Sequence, residues 1–178
     1  MAFPEPLTPR LRFLTPHRDH INPLHRLFDD PDVMRHIGAG SVWTHDEIAQ
    51  RIDRGIDLTE NGKPYFWTIE RRDSAEIIGQ GGLVAIDFNG PEIELGYRLG
   101  KDHWGQGFAT EIARAAVSCA FAPIATGGLA LDRLVAVCYP ENTASRRVLA
   151  KAGFTELGET DRYYGVTSVQ YEHRRDRA

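Results

Sequence analysis

Apolar positions along the chain follow two rhythms. Spacing of three or four residues predicts helices. It places Ile21, Leu24, Leu27 and Phe28 on one side of residues 19–28, and Ile48, Ile52 and Ile56 on one side of a helix that begins after Thr44. A third helix begins at Gly107 and gathers Ala109, Ile112, Ala113, Ala116, Val117 and Ala120. Thr44 stands three residues before Glu47, the spacing of a capping box, and Asn61–Gly62 closes that helix. Residues 29–40 are polar and turn-rich, with a short helix expected around 32–36. Strand patterns cover residues 10–14, 65–70, 76–86, 93–99, 134–139, 154–157 and 163–173. Gly81–Gly82 inside one of them predicts a bulge or a close backbone approach, and Asn89–Gly90 is a hairpin signal. Pro140 and Asn142 open a last helix that Gly153 ends as a left-handed cap. Helices come first, then a strand meander, then strand–helix–strand–helix–strand–strand. That order describes one α+β domain over residues 1–178, built around a central sheet.

At 178 residues, 42% hydrophobic and 26% charged, the chain has an ordinary globular composition, which argues against disorder and low complexity. A formal net charge of −4 supplies no global basic field, so no nucleic-acid partner is expected. The two cysteines, Cys119 and Cys138, are too few for a disulfide framework and are expected as small buried hydrophobes in a reducing compartment. The first residues, MAFPEPLTPRLRF, lack the apolar run of a signal peptide. Residues 109–130 are interrupted by Glu111, Arg114, Pro123 and Gly127–Gly128, so no membrane span is expected. Together these predict a cytoplasmic protein.

The most informative stretch is IELGYRLGKDHWGQGFATEIARAAVSCA, where a strand runs through a glycine-rich loop into an amphipathic helix. Trp104-Gly105-Gln106-Gly107-Phe108-Ala109 lies at the join. A helix start leaves its first N–H groups unpaired and partially positive, and glycines let an anion approach them closely. This is the physics of a pyrophosphate cradle; the plainer alternative is a loop whose glycines only turn the chain. There is no Gly-x-x-x-x-Gly-Lys-Ser/Thr loop, and Gly105 and Gly107 are followed by Thr110, so no Gly-x-Gly-x-x-Gly fingerprint is present.

The segment resembles the acyl-CoA-binding motif of the GNAT superfamily of N-acetyltransferases, and more narrowly the Trp-Gly-x-Gly-Tyr/Phe-Ala-Thr form of its RimJ/RimL-like branch. Trp104 stands where the general superfamily pattern carries Arg or Gln. A second segment, Pro140-Glu141-Asn142-Thr143-Ala144-Ser145 through Gly153-Phe154, is similar to the family's Asn-x-x-Ser…Gly-Phe element. By itself it also reads as a helix with Asn142 as N-cap and Gly153 as C-cap. The resemblance implies a mixed, mostly antiparallel sheet with splayed fourth and fifth strands and helices on both faces. It implies acetyl-CoA as co-substrate and no metal. The cofactor-binding residues it implies are Tyr97, Leu99, Trp104, Gly105, Gln106, Gly107, Phe108, Ala109, Thr110, Asn142 and Ser145. A backbone amide near Leu99 would hold the thioester oxygen.

Acetyl transfer to an amine needs a neutral nucleophile, donors for the developing oxyanion and a proton for the departing thiolate. A ternary complex supplies proximity without a covalent enzyme intermediate. Glu94 is the expected base, with Glu92 as the alternative, and Ser145 the expected donor to the sulfur. Tyr163 and Tyr164 lie in the last hairpin, which borders the acceptor site in the family. The alternative for each is a solvated carboxylate or a packing role. His103 is expected at the surface, and Cys138 as a buried strand residue. No His-Glu-x-x-His or Cys/His cluster has metal-binding spacing. The expected activity is transfer of acetyl to a primary amine, a protein N-terminal α-amine or a small molecule. A non-catalytic acyl-CoA-binding module and a nucleotide-binding protein are the competing readings. Acceptor choice is expected in residues 17–62 and 159–169, and a homodimer is the default assembly.

Overall fold

The computed structural model describes residues 3–86 and 90–175, so Asn89 of the expected hairpin turn lies outside the described residues. The strands are β1 (Leu11–Leu14), β2 (Phe66–Arg71), β3 (Ile77–Ala85), β4 (Ile93–Leu99), β5 (Arg133–Cys138), β6 (Thr155–Thr160) and β7 (Ser168–Arg174). The helices are α1 (Ile21–Phe28), α2 (Pro31–Met34), α3 (His45–Glu60), α4 (Phe108–Phe121) and α5 (Thr143–Lys151). Among the described residues these seven strands form one sheet in the order β1-β2-β3-β4-β5-β7-β6. Neighbours are antiparallel except β4 and β5, which run parallel. β3 and β4 pair along their whole shared length, from Gly79–Leu99 to Ala85–Ile93. β4 and β5 meet only at Glu94 opposite Val135, and then part. The splay implied by the resemblance is therefore present, and it opens toward Tyr97 and Cys138.

Two apolar clusters hold the sheet between helices. On one side Leu95, Leu99 and Ile78 pack with Phe108, Ile112 and Ala116 of α4. On the other, Leu24 and Phe28 of α1 pack with Met34, Trp43, Ile48 and Ile52. Alternation along β4 sends Leu95, Tyr97 and Leu99 toward α4 and Glu94, Gly96 and Arg98 the other way. The capping box forms as expected: Thr44 Oγ1 accepts from the Glu47 amide, and the Thr44 amide donates to Glu47. Asp30 caps α2 through the Asp32 amide. Gly153 follows α5 at φ +88, the left-handed cap expected of it. Among the described residues no helix is long and apolar enough to cross a membrane.

Some expectations are corrected. Of the two readings of Gly81–Gly82, the close approach holds and the bulge does not: a Cβ on Gly81 would lie 2.6 Å from Ile112, and one on Gly82 2.4 Å from the Trp67 ring. The register shift falls instead between Ile69 and Glu70. Helix α1 begins at Ile21, because Arg18–His20 winds as a 3₁₀ turn capped by His17. The last strand starts at Ser168, five residues later than its pattern predicts. Residues 163–167 form turns, with Tyr164 at φ +58 and Thr167 Oγ1 donating to Asp161 Oδ1 at 2.6 Å. His103 is buried rather than exposed, with its ring against Phe108 and Glu76. Gly100 and the 3₁₀ turn Lys101–His103 fold its ring inward under the loop.

Candidate active site

A cavity of about 590 Å³ follows the parting of β4 and β5 and continues along the face of β4 that carries Glu94, Gly96 and Arg98. At the gap it is lined by Tyr97, Cys138, Asn142 and Ser145. Tyr97 Oη lies 2.9 Å from Ser145 Oγ and 3.3 Å from the Ser145 carbonyl, which bridges β4 to α5 across the open sheet. Burial pushes the Tyr97 phenol well above its usual range, so it stays protonated near neutral pH. The Cys138 thiol is raised to about 11, mainly by burial. Asn142 Oδ1 accepts from the Ser145 amide at 3.1 Å, so the residue is an N-cap. That bond uses its oxygen and leaves its amide nitrogen as a donor beside the gap.

Glu94 sits further along the cavity, 8% exposed. Desolvation raises its carboxyl to about 7, opposed by the Tyr164 hydroxyl, which donates to Oε2. The turn over 163–167 is what lets Tyr164 reach back to a strand 70 residues earlier. Glu92 is placed differently. It accepts from Arg133 Nη1 at 2.7 Å and from Arg162 Nη2 at 2.6 Å, an ion-paired position outside the cavity lining. Tyr163 is buried, and its hydroxyl accepts from Gln170 Nε2 at 3.2 Å.

The glycine-rich loop builds a second concavity. Gly107 takes φ +81 as N-cap of α4, and among the described residues no side chain caps that helix. Its first N–H groups are thus left for an anion. Gly107, Thr110, Arg114 and Lys151 line an open cleft of about 700 Å³ there. Arg10 and Glu111 line the same cleft and brace the loop from within it. Arg10 Nη1 donates to the Gln106 carbonyl at 2.9 Å, and Arg10 Nε to Glu111 Oε2 at 2.6 Å. Trp104 Nε1 donates to the Leu99 carbonyl at 2.8 Å, tying the loop to the end of β4.

The family model for the Acetyltransferase (GNAT) domain matches residues 10–155. This chain belongs to the GNAT acetyltransferase family. Uncharacterized N-acetyltransferase YoaA of Bacillus subtilis is 31% identical over 145 residues, covering 82% of this chain and 79% of that protein. A GNAT-family acetyltransferase from Bacillus anthracis superposes with a TM-score of 0.80 at 20% identity, over 96% of this chain and 98% of that one. RimL, a ribosomal L7/L12 α-N-protein acetyltransferase solved with coenzyme A, superposes with a TM-score of 0.78 at 20% identity, over 95% and 96%. The fold is thus that of the GNAT acetyltransferases, RimL among them.

Within this GNAT fold the expected site residues divide. Glu94, Tyr97, Asn142 and Ser145 share the cavity, and Gly107 and Thr110 share the outer cleft. Between the two, Trp104, Gly105, Gln106 and Ala109 form the connecting loop and helix start. Phe108 is 4% exposed with Arg10 over its ring, so only its backbone faces the loop. Gln106 Nε2 turns back to the Asp102 carbonyl. Sequence reasoning missed Arg98 and Arg51 on the cavity wall and Arg114 and Lys151 at the cleft. A signal existed for two of them. Arg98 shares the strand period of Glu94, and Arg114 lies four residues after Thr110, on the same helix face.

Proposed function

We propose that this chain transfers acetyl from acetyl-CoA to a primary amine, a protein N-terminal α-amine or the amine of a small molecule. The carrying observation is Glu94: a carboxyl with a pKa near 7, on the wall of a cavity that follows the β4–β5 gap. A base of that strength accepts a proton from an amine at neutral pH and releases it readily to water. The residues present fit the co-substrate. The uncapped N–H groups after Gly107, with Arg114 and Lys151 beside them, suit a pyrophosphate. The amide nitrogen of Asn142 suits a pantetheine carbonyl. When bound, acetyl-CoA supplies the activated acetyl group.

The remaining roles belong to the protein. Glu94 removes the proton that would otherwise block the amine lone pair. Tyr164 orients the carboxylate through its hydrogen bond. Ser145 and Tyr97 hold a pair of protonated hydroxyls at the gap, where a departing thiolate needs a proton. The test is thiol release from acetyl-CoA against a panel of peptides and small amines, with products identified by mass spectrometry. Amine-dependent thiol release with acetylated product is the expected result. Tight acetyl-CoA binding with no transfer to any amine would instead mark a non-catalytic acyl-CoA-binding module.

A further inference from the structure

Beyond Glu94 the cavity wall carries an unusual arginine. Arg98 lies four residues after Glu94 on the same strand face, and its register partner is Gln80. Among the described residues its one hydrogen bond runs from Nη2 to Gln80 Oε1, at 2.7 Å, and it has no ion pair. Its Nε is buried without a partner. Aromatic rings surround the guanidinium: Trp43 at 4.5 Å, Phe28 at 5.2 Å and Phe66 at 5.2 Å. A second guanidinium, Arg51 from α3, stacks 3.7 Å over Trp43 and lines the same cavity. Burial pulls Arg98 down to about 10; Tyr65 opposes that shift and Arg51 adds to it.

Two guanidiniums sharing one desolvated wall, one without a carboxylate, are costly unless an anion joins them. Aromatic faces and one neutral amide offset part of that cost and leave a fork of donors unfilled. Arg133, by contrast, is paired within the protein with both Glu92 and Glu172. Among the described residues Glu47 lines the same cavity and attracts Arg51, but its carboxylate is already engaged by Thr44 in the capping box, and no ion pair joins it to Arg98. Gly96 lies between Glu94 and Arg98, and its missing side chain admits the Phe66 ring, 3.1 Å from where a Cβ would stand.

We propose that the acceptor is an amine bearing an anionic group, a carboxylate or phosphate, which Arg98 and Arg51 bind while the nitrogen sits at Glu94. This rests on the acetyltransferase reading above and names its substrate class. Strand spacing puts the Cα atoms of residues 94 and 98 about 13 Å apart. In an α-amino acid the nitrogen and carboxyl carbon are only about 2.5 Å apart. An acceptor whose anion lies several bonds from its amine suits that separation better than an α-amino acid does. An acidic side chain near a peptide N-terminus and a small ω-amino acid or aminoalkyl phosphate both meet that condition.

The test uses matched acidic and neutral acceptors in two arms. One arm compares Ala-Asp-Ala amide with Ala-Asn-Ala amide. The other compares 6-aminohexanoate with 6-aminohexanamide, and 3-aminopropyl phosphate with 3-aminopropanol. Thiol release gives kcat/KM, and calorimetry with CoA-saturated protein gives affinity independently of turnover. The acidic member of at least one arm is expected to lead its twin by about tenfold or more, the scale of a charge-assisted contact. That arm identifies the source of the anion. In Arg98→Gln the ratio is expected to fall toward one, whereas general damage to the fold would lower both twins together. Arg51→Gln provides the same comparison if Arg98→Gln does not fold. Equal kcat/KM and equal affinity within every pair overturns the proposal while leaving the acetyltransferase reading intact. A wild-type preference that survives in both variants also overturns it. No thiol release and no binding of any amine overturns both.

Discussion

Glu94→Gln separates stability from chemistry. The side chain keeps its size and can still accept from Tyr164, but it is permanently neutral. In the folded wild type the carboxyl sits near 7, against 4.5 for the ordinary group, because it is desolvated. A carboxyl with a raised folded value favours folding while it is protonated. The wild type therefore loses stability as pH rises from about 4.5 to 7, in proportion to the gap between the two values. At about 1.36 kcal/mol per tenfold change, the loss is roughly 3 kcal/mol by pH 8. Glu94→Gln has no such loss. The two proteins should match at pH 4.5 and diverge above it. At pH 8 the variant should melt higher by roughly 6–12 °C, at about 2–4 °C per kcal/mol for a chain this long. Other ionisable groups are shared and cancel in the comparison. Turnover should move the opposite way, falling about 10²–10⁴-fold. The acidic limb of the wild-type rate profile, expected near pH 7, should be absent. Urea or thermal melts of both proteins at pH 4.5, 6 and 8 measure the first effect, and steady-state rates over the same range the second. A stability difference that does not change with pH would refute the desolvation argument. A variant with near-wild-type turnover and an intact acidic limb would refute the assignment of the base.

Other substitutions test the remaining parts. Gly107→Asn tolerates the left-handed φ better than other side chains, and a Cβ there would meet only Arg10 Nη2 at 3.5 Å. It should fold normally yet bind acetyl-CoA roughly tenfold or more weakly by calorimetry, because the new side chain occupies the anion's approach. Asn142→Ser keeps the cap on the Ser145 amide and removes the free amide nitrogen. Its melting temperature should hold while acetyl-CoA affinity falls about two- to tenfold, the worth of one neutral hydrogen bond. Unchanged affinity would leave Asn142 as a cap alone. Tyr97→Phe should lower kcat with little change in acetyl-CoA affinity, and the double variant with Ser145→Ala should fall no further than the worse single, as expected of two groups acting as a unit. Gly82→Ala would push a methyl group to 2.4 Å from Trp67 at φ +144. It should destabilise the fold by about 3 kcal/mol or more in urea melts.

What the amino-acid sequence determined by itself is what depends on neighbours a few residues away. The Thr44–Glu47 box, the Asn142 cap, the glycine turn before α4 and the alternation along β4 are short-range preferences, and each is present in the fold. The alternation also placed Glu94 and Arg98 on one face. The tertiary structure decided what those side chains became. Glu92 and Glu94 are two residues apart, and nothing local separates their chemistry. Arg133 and Arg162, 41 and 70 residues away, hold Glu92 as an ion pair. Glu94 is desolvated, and among the described residues the Tyr164 hydroxyl is the side-chain donor that reaches it. Residues 163–167 have a strand pattern but form turns, and that bend delivers Tyr164 to Glu94. His103 likewise looked like a loop histidine until the turn around it folded inward. Desolvation and long-range pairing depend on what the folded chain packs around a group, and no window of a few residues contains that information.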